Sequence, residues 1–406
     1  MPPPAGRTRL FSIFRRITSG GRYIPEVDGL RFIAIGAVLL FHVARMAEID
    51  VINNSPHPEP SSRIVAFFAA ALYNGDRGVA AFFAISGFVL ALPFARQHLL
   101  AEGHVSLKQY FLRRLTRIEP PYLLSQLIRL YPVMVVRSLT FLQILPHFLA
   151  GVFYLHLLIY HTLPLVQLAG WSLEIEIQFY LLAPLLALFF FRESATLRRI
   201  LLFGFLLSYP LLTRPIFAVD FNHPTAKSQI CLYFFLTIAY WIRFFVAGMA
   251  VAELYTTLLQ RLRVHWLWDA VSIPGWVFFF SIDEGNWYFW GPILLIVFLI
   301  AAFKGVLMPR FFRIPIVTVI GGMCYSLYLT HSLALQAFYR VYMKLFPGIH
   351  GFYSRTIIAE ILIIPLLIAV GAVYYLLIER PCMDKDWPRK LTGWTRRTFE
   401  RRHAGA

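Results

Sequence analysis

Apolar runs of spanning length recur ten times along the 406 residues, at roughly 30–46, 77–95, 118–137, 171–191, 200–217, 230–257, 266–281, 286–303, 314–342 and 355–378. A helix needs about 20 residues to cross a hydrocarbon core of about 30 Å. With 58% hydrophobic and only 15% charged residues, a soluble fold of this chain would leave large apolar patches in water. The pattern excludes a soluble enzyme, a disordered tail protein and a disulfide scaffold. It predicts an all-α integral membrane protein, a bundle of about ten transmembrane helices.

One further apolar stretch, about 141–160, is interrupted by Pro146 and closely followed by Pro164. Charge decides how it is placed. If it does not cross, one set of segments (1–31, 96–118, 192–199, 261–263, 304–313 and 380–406) collects 27 of the 38 lysines and arginines. The opposite loops then hold only Arg63, Lys227 and Lys344 among their cations, beside seven acids. Basic loops face the cytoplasm. A crossing would move Arg192, Arg198 and Arg199 to the wrong side. The stretch is therefore expected to be re-entrant or interfacial, with both chain ends cytoplasmic. This divides the chain into a basic interfacial segment 1–23, a transmembrane domain 24–381 and a basic tail 382–406. Cytoplasmic loops also account for the net charge of +17, so no nucleic-acid partner is expected. Cys231, Cys324 and Cys382 are too scattered for a disulfide framework, and no metal-ligand spacing is present, so no metal is expected.

Ionisable groups at membrane depth are costly and mark candidate sites. Arg31 and His42 lie on the first span, 11 residues apart, within about 20° of three full turns and about 16 Å apart along the axis. Histidine is the side chain best suited to proton transfer near neutral pH. The second span carries Gly75, Gly78, Ser86 and Gly87 beside Phe82, Phe83 and Phe88. Arg113, Arg114 and Arg117 form one cationic face in YFLRRLTRIEPPY, where Glu119-Pro120-Pro121 predicts a sharp helix start. Guanidiniums bind phosphate bidentately, so this cluster suits a multiply phosphorylated ligand. The fourth span opens with Glu174 and Glu176, flanked by Trp171 and Tyr180. Two residues apart, the carboxylates face different ways, one toward a partner side chain and one toward a cavity. In the ninth span Tyr325, Tyr328 and His331 share a face. Each feature alone has a plainer reading: an interhelical hydrogen bond, packing, lipid headgroups, or a charge at a helix end.

Taken in order, DGLRFIAIGAVLLFH, GVAAFFAISGF, LRRLTRIEPPY, WSLEIEIQFY, YSLYLTH and IERP resemble the membrane acyltransferase 3 family, from about residue 24 to 381. The resemblance implies a ten-helix enzyme of a bacterial cytoplasmic membrane. Such a protein moves an acyl group, often acetyl, from acetyl-CoA or another acyl-CoA to a hydroxyl of a carbohydrate or lipid-linked glycan. It implies His42 as the catalytic histidine with Arg31 as its motif partner, and Arg113, Arg114 and Arg117 near the donor. Ser86 is assigned to the donor site as well. Trp171, Tyr325, Tyr328 and His331 are assigned to the acceptor. Some members carry a fused SGNH domain, which this sequence lacks. Many have an aspartate where Ala80 stands here, so that carboxylate's role does not transfer, and Asp76 or Arg77 is the nearby substitute. His42 is expected to act as general base or to carry the acyl group, with Glu174 or Glu176 orienting it or the acceptor. The competing class is a transporter or flippase of a glycan or small metabolite, with His42, Glu174 and Arg243 as relay sites. Acyl-CoA dependence separates the two.

Overall fold

The computed structural model describes residues 13–14, 16, 23–54, 71–217, 234–349, 352–384 and 387, with the side chains at 49–54 and 215–217 outside the description. Most of the expected segment 1–23 and tail 382–406, and the start of the expected span 230–257, therefore lie outside the described residues. Among those described, every regular element is a helix. Seven helices are long and apolar enough to cross a membrane. We number the helices α1 (Pro25–Asn54), α2 (Gly78–Leu100), α3 (Leu107–Arg137), α4 (Phe141–Val152), α5 (His156–Tyr160), α6 (Gly170–Phe190) and α7 (Ala195–Phe217). There follow α8 (Ile238–Thr257), α9 (Leu267–Ser281), α10 (Glu284–Lys304), α11 (Leu307–Phe312), α12 (Pro315–Gly322), α13 (Cys324–Leu345) and α14 (Phe352–Tyr374).

The apolar runs at 118–137, 266–281 and 314–342 account for the difference from ten. The first sits in α3, whose 31 residues start at Leu107 rather than at the prolines, with Ser106 accepting from the Gln109 N–H at 3.5 Å. Glu119, Arg129 and Arg137 charge that run. Arg129 is buried and held inside the protein, donating to the Val166 carbonyl at 2.9 Å and the Ser332 hydroxyl at 2.8 Å. The second run is α9, whose 15 residues extend about 22 Å, short of a hydrocarbon core of about 30 Å. The run at 314–342 is one candidate span broken at Met323, with α12 and α13 meeting at 69°. The stretch at 141–160 folds as the short helices α4 and α5, neither of spanning length.

Helix α3 runs on through its prolines, and side chains from elsewhere in the chain bond carbonyls along this stretch. Pro120 has no N–H to give the Thr116 carbonyl, and the Trp387 indole donates to it instead at 3.0 Å. The Tyr325 hydroxyl donates to the Ile118 carbonyl at 2.9 Å, and the Tyr374 hydroxyl to the Pro121 carbonyl. Backbone irregularity at membrane depth needs such protein partners.

Helices α2 and α8 are central, with 78% and 72% of their apolar windows buried; α7, at 22%, is peripheral. Exposed leucines on α6 and α7, such as Leu181, Leu185, Leu211 and Leu212, give these helices the apolar outer face that lipid requires. Two glycines let the central pair touch backbone to backbone. A Cβ on Gly248 would land on the Ala84 carbonyl, and one on Gly87 on the Phe245 carbonyl. At the other end of α8, buried Glu253 binds Arg198 at 2.6 Å and Arg199 at 3.4 Å, joining α7 to α8. Replacing Gly248 by alanine is expected to pry α2 from α8 at a cost of about 1–3 kcal/mol. The thermal unfolding midpoint of the detergent-purified protein should fall, whereas Gly204→Ala, inside α7 where a Cβ meets nothing, should not lower it and should raise it slightly.

Candidate functional site

A cavity of about 300 Å³ opens where α1, α2, α3, α6 and the α12–α13 break converge. This is the lower end of the range for small-molecule sites. Each helix delivers its polar residue for a local reason. In α3 the i,i+4 and i,i+3 spacings bring Arg113, Arg114 and Arg117 to the cavity wall. From α1 comes Arg31, bound to buried Asp28 at 2.8 Å. Arg16, from before α1, shares the same carboxylate at 3.3 Å. Across the break at Met323, Gly322, Cys324 and Tyr325 line the wall.

Five guanidiniums thus border one cavity. Arg117 lies 3.9 Å from Glu379, which is fully buried and also accepts from the Ser326 hydroxyl at 2.6 Å and the Ser326 N–H at 3.1 Å. Burial draws Arg117 down to about 10, and Arg16 beside it adds to the shift while Glu379 opposes it. Arg117 therefore stays charged at neutral pH. Arg114 is also lowered by burial, with the Tyr110 and Tyr180 hydroxyls and Glu176 opposing. Its guanidinium stacks 3.7 Å over the Tyr110 ring, and neither it nor Arg113 has an ion-pair partner among the described residues. Positive charge thus exceeds negative at this wall.

Toward the opposite end the lining becomes aromatic and hydroxylic: Phe82, Phe83, Ser172 and Tyr328. The Ser172 and Tyr328 hydroxyls are hydrogen-bonded at 2.8 Å. Between the two ends Glu176 faces the cavity, and its Oε1 accepts from Ser86 and Tyr180, each at 2.7 Å. A carboxylate oxygen held by two hydroxyl donors is fixed in orientation.

The cavity brings together eight of the twelve residues singled out from the sequence: Arg31, Ser86, Arg113, Arg114, Arg117, Glu176, Tyr325 and Tyr328. The other four lie outside its lining. His42 and His331 pack ring to ring, centroids 4.8 Å apart, and His331 lies 5.7 Å from the Tyr328 ring. This pair therefore stands just beyond the hydroxyl end. Trp171 joins an aromatic cluster with Trp241 at 5.3 Å and Phe235 at 6.1 Å. Glu174 is fully buried and accepts the Leu157 N–H at 2.8 Å, anchoring α5 to α6. The two glutamates do face different ways, but the partner of Glu174 is backbone rather than a side chain. In the same segment His147 and His156 are hydrogen-bonded at 3.0 Å, and burial followed by the neighbouring His147 lowers His156.

Arg77 turns away from the cavity. It donates to the Phe279 carbonyl at 2.9 Å and the Ile282 carbonyl at 2.8 Å, and pairs with Glu284 at 3.4 Å. It does not stand in for the missing carboxylate at Ala80. Arg243 is buried against aromatic rings, 3.7 Å from the Tyr288 centroid and 4.2 Å from that of Tyr240. Sequence reasoning passed over Arg16 and Glu379. Arg16 sits among other basic residues of the N-terminal segment, and Glu379 belongs to the IERP motif, read only as a family marker. No group of three or more potential metal ligands occurs among the described residues.

A family profile described as an acyltransferase domain matches residues 24–378. A protein of Staphylococcus aureus (strain COL), provisionally named an O-acetyltransferase, is 23% identical over 366 residues, covering 83% of this chain and 54% of its own length. The O-acetyltransferase OatA of Staphylococcus aureus (strain NCTC 8325 / PS 47) is 24% identical over 340 residues, covering 76% of this chain and 50% of its own. The chain thus spans about half the length of the curated relatives it matches. No solved structure matches it significantly.

The Glu174 contact has a measurable consequence. Glu174→Ala strands the Leu157 N–H and should cost about 1–3 kcal/mol, seen as a lower unfolding midpoint. Glu174→Gln keeps an acceptor oxygen and should unfold close to wild type.

Proposed function

The chain belongs to the membrane acyltransferase 3 family, and from that premise we propose that it is an integral membrane O-acyltransferase. In this reading it takes an acyl group, acetyl being the expected one, from a cytoplasmic acyl-CoA. It passes that group to a hydroxyl of a glycan or related acceptor. The observation that carries the reading is the cavity's polarity: five arginines at one end, hydroxyls and aromatic rings at the other, and a histidine pair immediately beyond. An acyl-CoA has the same polarity, with phosphates at its nucleotide end and an uncharged thioester at the tip of a thin arm.

The donor phosphates bind Arg113, Arg114 and Arg117, with Arg16 and Arg31 completing the cationic wall. Guanidinium forks suit phosphate oxygens, and a partly dehydrated wall strengthens the attraction. The pantetheine arm runs past Glu176, whose fixed carboxylate is an acceptor for an amide N–H. The thioester then reaches the Ser172–Tyr328 end, the part of the cavity nearest His42.

There the acceptor hydroxyl attacks the thioester carbonyl. A C–O bond forms and the C–S bond breaks. In one route His42 takes the hydroxyl proton as general base and returns it to the departing thiolate. In the other, His42 first accepts the acyl group. Proton removal at this step is worth about 10²–10⁴-fold. The arrangement favours an enzyme over a carrier because the cationic wall is matched to a donor that a transporter would not consume.

Acetyl-CoA binding and its slow hydrolysis, measured in nanodiscs, test the reading. The Arg113/Arg114/Arg117 triple alanine variant should lose binding. His42→Ala should bind acetyl-CoA normally and lose hydrolysis by about 10²-fold or more. CoA binding should hold between pH 7 and 9, since the guanidiniums of the wall stay charged throughout that range. Folded wild-type protein that binds no acyl-CoA refutes the reading.

A further inference from the structure

His42 on α1 and His331 on α13 present two imidazoles to one another, centroids 4.8 Å apart and planes tilted by 40°. His331 is almost completely buried. Its Nδ1 lies 2.8 Å from the Tyr328 carbonyl oxygen and 3.2 Å from that of Leu327. A carbonyl oxygen only accepts hydrogen bonds. Nδ1 therefore carries a hydrogen whether the ring is neutral or charged. In the neutral ring the lone pair must then reside on Nε2. The backbone of α13 has fixed the tautomer, and the ring has an acceptor to offer its neighbour.

A base at His42 needs the complementary arrangement. One ring nitrogen must be bare to take a proton, so the hydrogen must sit on the other, held by an acceptor. Resting on the acyltransferase reading above, we infer that His331 is a positioning residue for His42. The two rings are in contact without a hydrogen bond between them; in the proposed step they close together, the N–H of His42 points to Nε2 of His331, and the remaining His42 nitrogen is left bare toward the acceptor hydroxyl. The chain of groups is carbonyl of Tyr328, His331, His42, substrate. Such an arrangement is not open to a glutamate in this position without burying a further charge.

The step balances without another reactant. The acceptor's proton moves to His42 as the C–O bond forms, and the imidazolium is stabilised by the Nε2 lone pair beside it. The thioester C–S bond breaks, and the same proton ends on the CoA thiolate. His331 touches neither donor nor acceptor, and acts only through His42.

Two substitutions separate positioning from packing. His331→Asn puts an amide nitrogen near the place of Nδ1, keeping the link to the Tyr328 carbonyl, but leaves nothing at the place of Nε2. His331→Gln extends an amide oxygen toward the place of Nε2. With acetyl-CoA as the probe in nanodiscs, His331→Asn should lose kcat for hydrolysis by about 10²-fold, while the acetyl-CoA Kd stays within about twofold. His331→Gln should recover a substantial part of that loss at the same Kd. Wild-type kcat in the asparagine variant, or equal loss in both variants, overturns the assignment. Wild-type protein that neither binds nor hydrolyses acyl-CoA overturns the functional reading itself, an outcome read before either variant is compared.

Discussion

Desolvation of arginine governs how this bundle is built. Taking a guanidinium out of water is costly, and a chain with so few charges gathers five of them around a single cavity. Their compensation is deliberately partial. Asp28 serves both Arg16 and Arg31, Glu379 serves Arg117, and Arg114 is left with the face of Tyr110. The wall is supported well enough to fold and stays short of negative charge. An anion entering it meets Arg16, Arg31 and Arg114 already stripped of part of their water, with Arg113 exposed at the rim, so little reorganisation is left at the inner groups.

The same economy explains why helices are broken where they are. The prolines of α3 and the bend at Met323 free backbone carbonyls and N–H groups in a region where solvent is scarce. Two of them are claimed by side chains from distant parts of the chain, the Thr116 carbonyl by Trp387 and the Ser326 N–H by Glu379, while Tyr325 and Tyr374 add bonds to the Ile118 and Pro121 carbonyls. These contacts tie the end of the described chain to α3 and α13, the helices that carry Arg117 and Tyr328. Irregular backbone and cavity coincide because each requires a place where helices do not pack face to face.

Much of this was legible in the sequence, and the remainder fails for identifiable reasons. Apolar runs located the seven helices of spanning length, though not the expected count of ten, and the stretch interrupted by Pro146 folds as two short helices. Spacing put Arg113, Arg114 and Arg117 on one wall, and the two-residue offset separated Glu174 from Glu176. What local pattern cannot register is partnership across the chain. The Thr116 carbonyl, in the helix containing Pro120 and Pro121, finds its donor in Trp387, 271 residues away. Arg129 sits in a run that looked like a span because Val166 and Ser332 shelter its charge. Arg16 read as one more basic residue until folding placed it beside Asp28.

Helix α1 sets the scale of the reaction path. Arg31 and His42 lie on one rigid element, about 16 Å apart along its axis, so the distance between charged mouth and histidine pair cannot drift with loop motion. The opposing wall repeats this order: Tyr180, Glu176 and Ser172 descend α6 at one-turn intervals, while Cys324, Tyr325 and Tyr328 ascend α13 toward His331. Three helices therefore run alongside the cavity from its cationic end toward the histidine pair. In the proposed function, a donor whose charge and reactive bond are separated by a flexible arm would be bound in one register by such walls, because sliding along them would take its phosphates away from every guanidinium at once. Under that proposal, positional accuracy at the thioester would come from the rigid spacing of secondary structure rather than from contacts to the small acyl group itself.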